Sequence, residues 1–238
     1  MRLTKLICLP YAGGSSYVFT PWQRALAGRV DVIAPELPGR GTRMLEPALD
    51  RLDDVVAWLR RESRDVLAGD YALWGHSMGA LLGYELARAL EADGAAPPRH
   101  FFASGARPAY LPRHAEQYHR LDDAALIGRL GQLCGTPDEV LQDAELMAML
   151  LPSLRADFAV CETYTWRDAP LPRLPITAIG GDLDEEVPLA SLHGWRRCTQ
   201  GDVRVLAMHG NHFFLREHVD ALATLIAATL NAPAQSAA

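Results

Sequence analysis

The segment Gly75-His-Ser-Met-Gly79 constrains the fold of this chain more than any other part of its sequence. A short apolar run from Tyr71 to Trp74 precedes it, and an alanine- and leucine-rich stretch that ends near Leu90 follows it. This order predicts a strand that turns sharply into a helix. At such a turn the strand and the helix pass so closely that glycine is needed two residues before and after the serine. The sequence therefore predicts that Ser77 is a nucleophile in a strained turn, with its hydroxyl in a cleft.

A serine that attacks an acyl carbonyl needs hydrogen-bond donors for the oxyanion that forms. The N–H of Met78 lies at the predicted N-terminus of the helix, where no helical acceptor uses it. A second donor is expected from the small-residue loop Pro10-Tyr-Ala-Gly-Gly-Ser-Ser16, which follows the first predicted strand. We predict that the N–H of Ala12 is this donor, with those of Tyr11 and Gly13 as alternatives.

Two aspartates follow a late predicted strand, in the segment Gly180-Gly-Asp-Leu-Asp184. Open α/β sheets hold their sites at the carboxyl ends of the strands. Asp184 comes far enough past the strand for its carboxylate to turn back toward the cleft, and we predict that it is the acid of a Ser-His-Asp triad. Asp182 is the alternative; otherwise it braces the loop through local hydrogen bonds. Val187 stands where a calcium-binding loop needs glycine, so no metal site is expected.

Eight histidines compete for the role of general base. His212 and His209 lie in the last loop of the chain, and the order serine, acid, histidine is that of the α/β-hydrolase fold. We predict His212, because the two phenylalanines behind it begin the terminal helix and can anchor the loop; His209 is the alternative. His212 would remove the proton of Ser77, and Asp184 would fix the tautomer of the imidazole and stabilise its charged form.

Strand and helix patterns alternate along the chain and predict an α/β-hydrolase fold, with a mostly parallel central sheet and helices on both faces. Residues 1–238 are expected to form a single domain. Between two core strands, at about residues 107–174, the pattern is helical and far longer than a usual connection, which predicts a lid. The small-residue tail 231–238 is expected to be frayed.

Several local patterns give further expectations. Residues 52–67 are predicted to form one amphipathic helix. Asp122 is expected to cap a helix, and residues 136–139 (Thr-Pro-Asp-Glu) predict a capping box. Pro152 is expected to interrupt a helical segment. Arg40 and Arg43 are expected to be a solvated pair, or to meet an anionic partner near the cleft.

The composition narrows the function classes. With 49% hydrophobic residues the chain can bury a full core, and its net charge of -6 argues against a nucleic-acid-binding protein. The four cysteines form no C-x-x-C pair, which is typical of thiols in a reducing compartment. No stretch approaches a membrane span, and the first apolar run is too short for a signal segment. The protein is expected to be cytoplasmic, away from membranes, and to need no cofactor or metal.

With these residues identified, the sequence resembles the type II (external, stand-alone) thioesterases of bacterial polyketide and nonribosomal peptide synthesis. The resemblance spans nearly the whole chain. One departure is Tyr11, where relatives often have histidine, and this change leaves the backbone N–H groups of the loop intact. The motifs that resemble the family occur in the same order: Leu9-Pro-Tyr-Ala-Gly-Gly14, Glu36-Leu-Pro-Gly-Arg-Gly41, Gly75-His-Ser-Met-Gly79, Ser104-Gly-Ala-Arg107, Leu151-Pro-Ser-Leu-Arg-Ala-Asp-Phe158, Gly180-Gly-Asp-Leu-Asp184 and Gly210-Asn-His-Phe-Phe-Leu215.

The resemblance implies a monomeric editing enzyme of antibiotic biosynthesis. It would remove wrong or stalled acyl groups from the phosphopantetheine arm of acyl or peptidyl carrier proteins, and the helical insert would be the lid that admits this arm. Two alternatives share the same residues or the same fold. One is a generic carboxylesterase or lipase of small oxyesters, and the other is a non-catalytic binding module.

Overall fold

The computed structural model describes residues 3–111, 116–133, 135–168, 171 and 173–232. Its strands are β1 (Lys5–Leu9), β2 (Asp31–Ile33), β3 (Tyr71–His76), β4 (Phe101–Ser104), β5 (Ile176–Gly181) and β6 (Val203–Met208). They form one six-stranded sheet in the order β2-β1-β3-β4-β5-β6. All neighbouring pairs of these strands are parallel. The prediction of a mostly parallel central sheet is confirmed.

Helices cover both faces of the sheet, as predicted. One face packs against α1 and α8 through a core that includes Trp22 and Ile226, and the other packs against α2 and α4 around Leu59 and Tyr84. Burial on both faces fits strands that are almost continuously apolar. The helices are α1 (Thr20–Ala25), α2 (Leu52–Glu62), α3 (Arg64–Leu67), α4 (Met78–Ala92), α5 (Asp123–Gln132), α6 (Asp138–Leu141), α7 (Ala144–Glu162) and α8 (Val219–Asn231). Short 3-10 helices span Ser16–Phe19, Gly41–Arg43, Tyr118–Arg120, Leu189–Arg197 and Phe214–Arg216.

The expected helical insert lies between β4 and β5 and contains α5, α6 and α7. These helices share a small apolar cluster of their own. The carboxylate of Asp122 accepts a hydrogen bond of 2.8 Å from the N–H of Ala125, which confirms the predicted cap of α5. The insert therefore has a core separate from the two that flank the sheet. Its role as a lid, and the assignment of the chain to a single domain, stay predictions.

Two expectations within the insert are wrong. Pro152 does not interrupt α7, which continues through it. The proline removes one backbone donor, but Leu151 and Leu154 on either side of it are buried, and this packing holds the helix. The capping box at Thr136 is not formed, because Pro137 itself occupies the cap position and α6 begins one residue later than predicted.

Two further helix boundaries differ from the predictions. The segment 52–67 is divided at Ser63, whose carbonyl accepts from the N–H groups of Val66 and Leu67 and so starts a new turn. The terminal helix begins at Val219 and not at the phenylalanines after His212. Here the side chain of Asn211 accepts the N–H of Phe213 at 2.8 Å, a local turn that competes with a helix.

The structure also bears on the predictions about membrane spans, the cysteines and the C-terminal tail. Within the described ranges, none of the helices combines the length and the apolarity that crossing a bilayer requires. Cys8, Cys161 and Cys198 are buried thiols, and burial raises the pKa of Cys8 well above its ordinary value. Cys134 and residues 233–238 of the predicted tail lie outside the described residues.

The first turn of α4 crosses the end of β1 in direct backbone contact. A Cβ atom on Gly79 would lie 2.1 Å from the carbonyl oxygen of Leu9, and one on Gly75 would lie 2.1 Å from the carbonyl oxygen of Gly79. Neither backbone segment can move away, since both belong to the sheet or to the helix packed on it. Between the two glycines, Ser77 has φ 54 and ψ -113, a conformation that costs an L-residue energy.

We expect Gly79→Ala to lower the free energy of unfolding by about 3 kcal/mol, because the added methyl group meets backbone that cannot give way. Gly128→Ala is the matched control, since a Cβ at this position of α5 meets nothing within 4 Å. Alanine there should raise stability by up to about 1 kcal/mol through helix propensity. Urea unfolding followed by circular dichroism measures both. Similar small effects for the two variants would contradict the contact described here.

Candidate active site

A cavity of about 350 Å³ lies between the carboxyl end of the sheet and the helical insert. Ser77 and His212 line it on the side of the sheet, together with Ala12 of the loop after β1. Apolar side chains of the insert line the opposite side: Leu130, Leu133, Val140, Leu150, Leu154 and Phe158. The structure thus brings the predicted nucleophile and the predicted base to one apolar cavity, a form typical of ligand sites.

Ser77 is fixed by the strands on either side of its turn. Its N–H donates to the carbonyl of Ser104 at the end of β4, at 2.9 Å. Among the described residues no hydrogen bond joins the Oγ of Ser77 to an imidazole, although His212 lines the same cavity. Hydrogen bonds of this kind are often long in the absence of substrate and tighten in the complex.

Asp184 is hydrogen-bonded to the Nδ1 side of the His212 imidazole. Its Oδ2 lies 2.8 Å from Nδ1 of His212, and the Asp184 side chain is completely buried. Its Oδ1 accepts the N–H groups of Glu186 and Val187 at 2.9 and 3.0 Å. An ionised carboxylate only accepts hydrogen bonds, so the neutral form of the His212 imidazole has its hydrogen on Nδ1 and its lone pair on Nε2. This is the tautomer that a general base requires.

The two alternatives, Asp182 and His209, contact each other. Oδ2 of Asp182 lies 3.1 Å from Nδ1 of His209, and Oδ1 accepts the N–H of Gly210 at 2.9 Å. That N–H, followed by the histidine, lowers the pKa of Asp182. The His209 side chain is 76% exposed. The structure therefore places Asp184 and not Asp182 against His212, while the catalytic roles of these residues stay predictions.

The backbone donors near Ser77 differ in whether they are already used. The N–H of Gly13 donates to the carboxylate of Asp157 on α7 at 2.7 Å, so it is not free for an oxyanion. For the N–H groups of Ala12 and Met78, no acceptor is found within the part of the chain that the structure describes. The N–H of Gly13 is therefore engaged, whereas those of the predicted pair, Ala12 and Met78, are available. The N–H of Tyr11, the other alternative, also has no acceptor among the described residues, so Tyr11 stays an alternative to Ala12.

His76, the residue before the nucleophile, contacts the backbone of His212. Its ring is fully buried, with Nε2 2.9 Å from the carbonyl oxygen of His212 and Nδ1 2.9 Å from Oγ of Ser104. Because a carbonyl oxygen only accepts, Nε2 of His76 bears the hydrogen, and Nδ1 then accepts from the serine. Burial, followed by the positive charge that His212 gains when it is protonated, lowers the pKa of His76 well below its ordinary value and keeps it neutral.

The side chain of Tyr11 links three parts of the site. Its ring packs edge-on against His76 and Phe213, with centroids 5.9 and 5.0 Å apart. Its hydroxyl accepts a hydrogen bond of 2.6 Å from Arg216, which also donates to the carbonyl of Gly135 in the insert at 3.0 Å. Tyr11 therefore connects the loop after β1 with the insert through Arg216.

Sequence reasoning missed some of the groups that hold the site. Arg40 is buried and paired with Asp157, so the expected solvation is wrong for this residue and the alternative, an anionic partner near the cleft, is confirmed. Arg43 pairs instead with the partly exposed Glu46 and Glu62. Asp157 received no role, although its motif was recognised. One signal in the sequence could have identified Arg40 and Asp157: both residues lie in motifs shared with the family to which no function had been assigned. Within the described ranges, no group of three or more His, Cys, Asp or Glu side chains is arranged to hold a metal ion.

Comparison with known proteins gives a consistent set of relatives. A family model described as a thioesterase domain matches residues 4–230. The gramicidin S biosynthesis protein GrsT of Aneurinibacillus migulanus is 40% identical over 213 residues, which cover 90% of this chain and 83% of that protein.

Two solved structures match over almost the whole chain. The RedJ thioesterase from the prodiginine biosynthetic pathway of Streptomyces coelicolor has a TM-score of 0.89 at 37% identity, covering 95% of this chain and 90% of that one. The type II thioesterase BorB from the borrelidin biosynthetic cluster has a TM-score of 0.88 at 38% identity, covering 96% and 93%.

We expect Asp184→Asn to lower kcat for the hydrolysis of an acyl thioester by about 10⁴-fold, because an amide in this place favours the wrong tautomer of the histidine. Asp182→Asn, which affects an exposed pair in the same loop, should change kcat by about 3-fold or less. Steady-state release of the acid measures both. A larger loss at Asp182 would reverse the assignment of the acid.

We expect His76→Phe to lower kcat by about 10-fold or more, since the backbone of His212 loses its donor and a small displacement of a reacting group is costly. KM should stay within about 2-fold, because the ring does not line the cavity. His100→Phe is the matched control: this half-buried histidine bonds to Oγ1 of Thr177 at 2.8 Å, at the opposite end of β4. Equal turnover in the two variants would show that the contact with His212 is unimportant.

Proposed function

The chain belongs to the thioesterase family, and we propose that it is a stand-alone, type II thioesterase of polyketide or nonribosomal peptide biosynthesis. It hydrolyses acyl thioesters on the phosphopantetheine arm of acyl or peptidyl carrier proteins and so removes aberrant or stalled groups. The observation that carries this proposal is that Ser77, His212 and the apolar side chains of the insert line the same cavity. The names of GrsT, RedJ and BorB support the assignment to such pathways.

The first half of the reaction forms an acyl-enzyme. The Oγ of Ser77 attacks the thioester carbonyl carbon as Nε2 of His212 removes its proton. Asp184, bonded to Nδ1 at 2.8 Å, stabilises the imidazolium. The N–H groups of Ala12 and Met78 donate to the oxyanion of the tetrahedral intermediate. When the carbon–sulfur bond breaks, His212 returns the proton to the departing pantetheine thiolate.

The second half releases the acid. A water molecule attacks the ester carbonyl of the acyl-enzyme and transfers a proton to His212. The same two N–H groups stabilise the second tetrahedral intermediate. Collapse of this intermediate breaks the bond to Oγ of Ser77, which takes the proton from His212, and the free acid leaves. The enzyme returns to its starting state without a cofactor or metal ion.

The lining of the cavity combines apolar and charged side chains. The apolar side chains of the insert form the wall that faces an acyl chain, whereas Arg107 and Arg216 are charged groups of the lining. Burying an acyl chain against this wall contributes about 25 cal/mol per Å² of apolar surface. The insert acts as the lid over this cavity, and the protein acts as a monomer on a carrier protein that enters with its loaded arm.

The test is the hydrolysis of acetyl- or propionyl-loaded carrier protein. Wild-type protein should release the acid, and Ser77→Ala should be slower by about 10⁴-fold or more because no other group can form the acyl-enzyme. A serine-directed fluorophosphonate should label the wild type at Ser77 and leave the variant unlabelled.

Three outcomes would contradict the proposal. Equal, slow release by the wild type and the variant would exclude catalysis by Ser77. A higher kcat/KM for p-nitrophenyl esters than for the loaded carrier protein would favour a generic esterase. Failure of the fluorophosphonate to label Ser77 in the wild type would favour a non-catalytic binding module.

A further inference from the structure

A buried ion pair joins the loop after β2 to helix α7. Nη1 and Nη2 of Arg40 lie 2.6 and 2.7 Å from the two carboxylate oxygens of Asp157. The side chains are only 6% and 2% exposed. Removing two charges from water is costly, and their attraction seldom provides a large net gain in stability. A purpose other than stability is therefore expected for this pair.

Both members of the pair also bind the loop that follows β1. Oδ2 of Asp157 accepts the N–H of Gly13 at 2.7 Å. Nη1 of Arg40 donates to the carbonyl of Gly14 at 3.2 Å. These contacts fix two successive residues directly after Ala12, whose own N–H has no acceptor among the described residues.

A second carboxylate holds the end of the same loop. Glu36 accepts the N–H of Ser16 at 3.0 Å and its hydroxyl at 2.7 Å. Burial opposes the charge of Arg40, but the attraction of Asp157, aided by Glu36, outweighs it and raises the pKa of the guanidinium. The arginine is therefore a permanent cation near two carboxylates, and the loop is held at Gly13, Gly14 and Ser16.

We propose that Arg40 and Asp157 are positioning residues for the oxyanion hole. They hold the loop so that the N–H of Ala12 faces the oxygen bound to the carbon that Ser77 attacks. Neither group touches the substrate carbonyl; each acts through the peptide groups of Gly13 and Gly14. This inference rests on the proposed function, because it assumes an oxyanion at Ser77.

The position of Asp157 on α7 links the oxyanion hole to the acyl-binding wall. Leu154 and Phe158 on the same helix line the cavity. If Asp157 served only to seat this wall, its loss would weaken substrate binding and raise KM. If it positions the loop, its loss affects the oxyanion more than the bound substrate, and kcat falls. The two roles are therefore separable by kinetics.

The experiment compares two ketones with the same alkyl chain as inhibitors. A trifluoromethyl ketone adds Oγ of Ser77 to its carbonyl carbon, the serine proton passes to His212, and the ketone oxygen becomes an oxyanion. The methyl ketone binds largely without this addition and reports on ground-state binding. Inhibition constants and the kcat and KM of acyl thioester hydrolysis are measured for the wild type, Asp157→Asn, Asp157→Ala, Arg40→Gln and Arg40→Lys.

Glu162→Gln is the matched control. Glu162 lies on α7 like Asp157, its side chain is also 2% exposed, and it accepts the backbone N–H groups of Tyr118 and His119 as well as the imidazole of His119. The variant therefore neutralises an equally buried carboxylate on the same helix that does not contact the loop after β1. Thermal unfolding of every variant reports on stability.

We expect Asp157→Ala to lower kcat by about 100-fold and Asp157→Asn by about 10-fold, with KM within about 3-fold of wild type. Affinity for the trifluoromethyl ketone should fall by the same factors as kcat/KM, and affinity for the methyl ketone should not. Arg40→Lys should retain more activity than Arg40→Gln, because it keeps the charge. Glu162→Gln should keep wild-type kcat.

The proposal would be overturned if the Asp157 and Arg40 variants lost stability but kept wild-type kcat and trifluoromethyl ketone affinity, as expected for Glu162→Gln. A rise in KM with unchanged kcat would assign Asp157 to the cavity wall instead. If Asp157→Ala does not fold, Asp157→Asn and Arg40→Lys decide between these results. Inactive wild-type protein would refute the proposed function itself. This result differs from all those above, in which the wild type is active and only the role of Arg40 and Asp157 is in question.

Discussion

The crossing of α4 over the end of β1 in backbone contact is the constraint on which the rest of the structure depends. Only hydrogen fits at Gly75 and Gly79, and the chain between them must turn within four peptide bonds. This turn forces Ser77 into a conformation that L-residues rarely adopt and directs its hydroxyl into the cavity. It also places the N-terminus of α4 beside the loop after β1, so the hydroxyl of Ser77 lies near backbone N–H groups from both segments.

Contacts between distant parts of the chain then fix the groups around Ser77. His212 is held at its side chain by Asp184 and at its carbonyl by His76. The loop after β1 is held by Asp157, which belongs to the helical insert. One helix of the insert therefore supports the backbone beside Ser77. Buried hydrogen bonds of this kind rigidify a site.

Features that depend on neighbouring residues could be predicted from the sequence, whereas contacts between distant residues could not. Glycine spacing identifies the turn at Ser77, and Asp122 caps α5 by contacts within one turn of helix. The bond between Gly13 and Asp157 joins residues 144 positions apart, and no periodicity or local propensity encodes it. At Pro152 a local signal is misleading: proline predicts an interruption of the helix, but tertiary packing overrides this effect and α7 continues. Asp182 and Asp184 share one loop, and only three-dimensional structure distinguishes their partners.

The most direct test of the central claim is a crystal structure of the protein with a phosphonate bonded to Ser77. The phosphonyl oxygen stands in for the oxyanion of the tetrahedral intermediate. It should lie about 2.7–3.1 Å from the amide nitrogens of both Ala12 and Met78, while the N–H of Gly13 stays on Asp157. An adduct whose oxygen points away from both amides, or a phosphonate bonded to a different residue, would contradict the account.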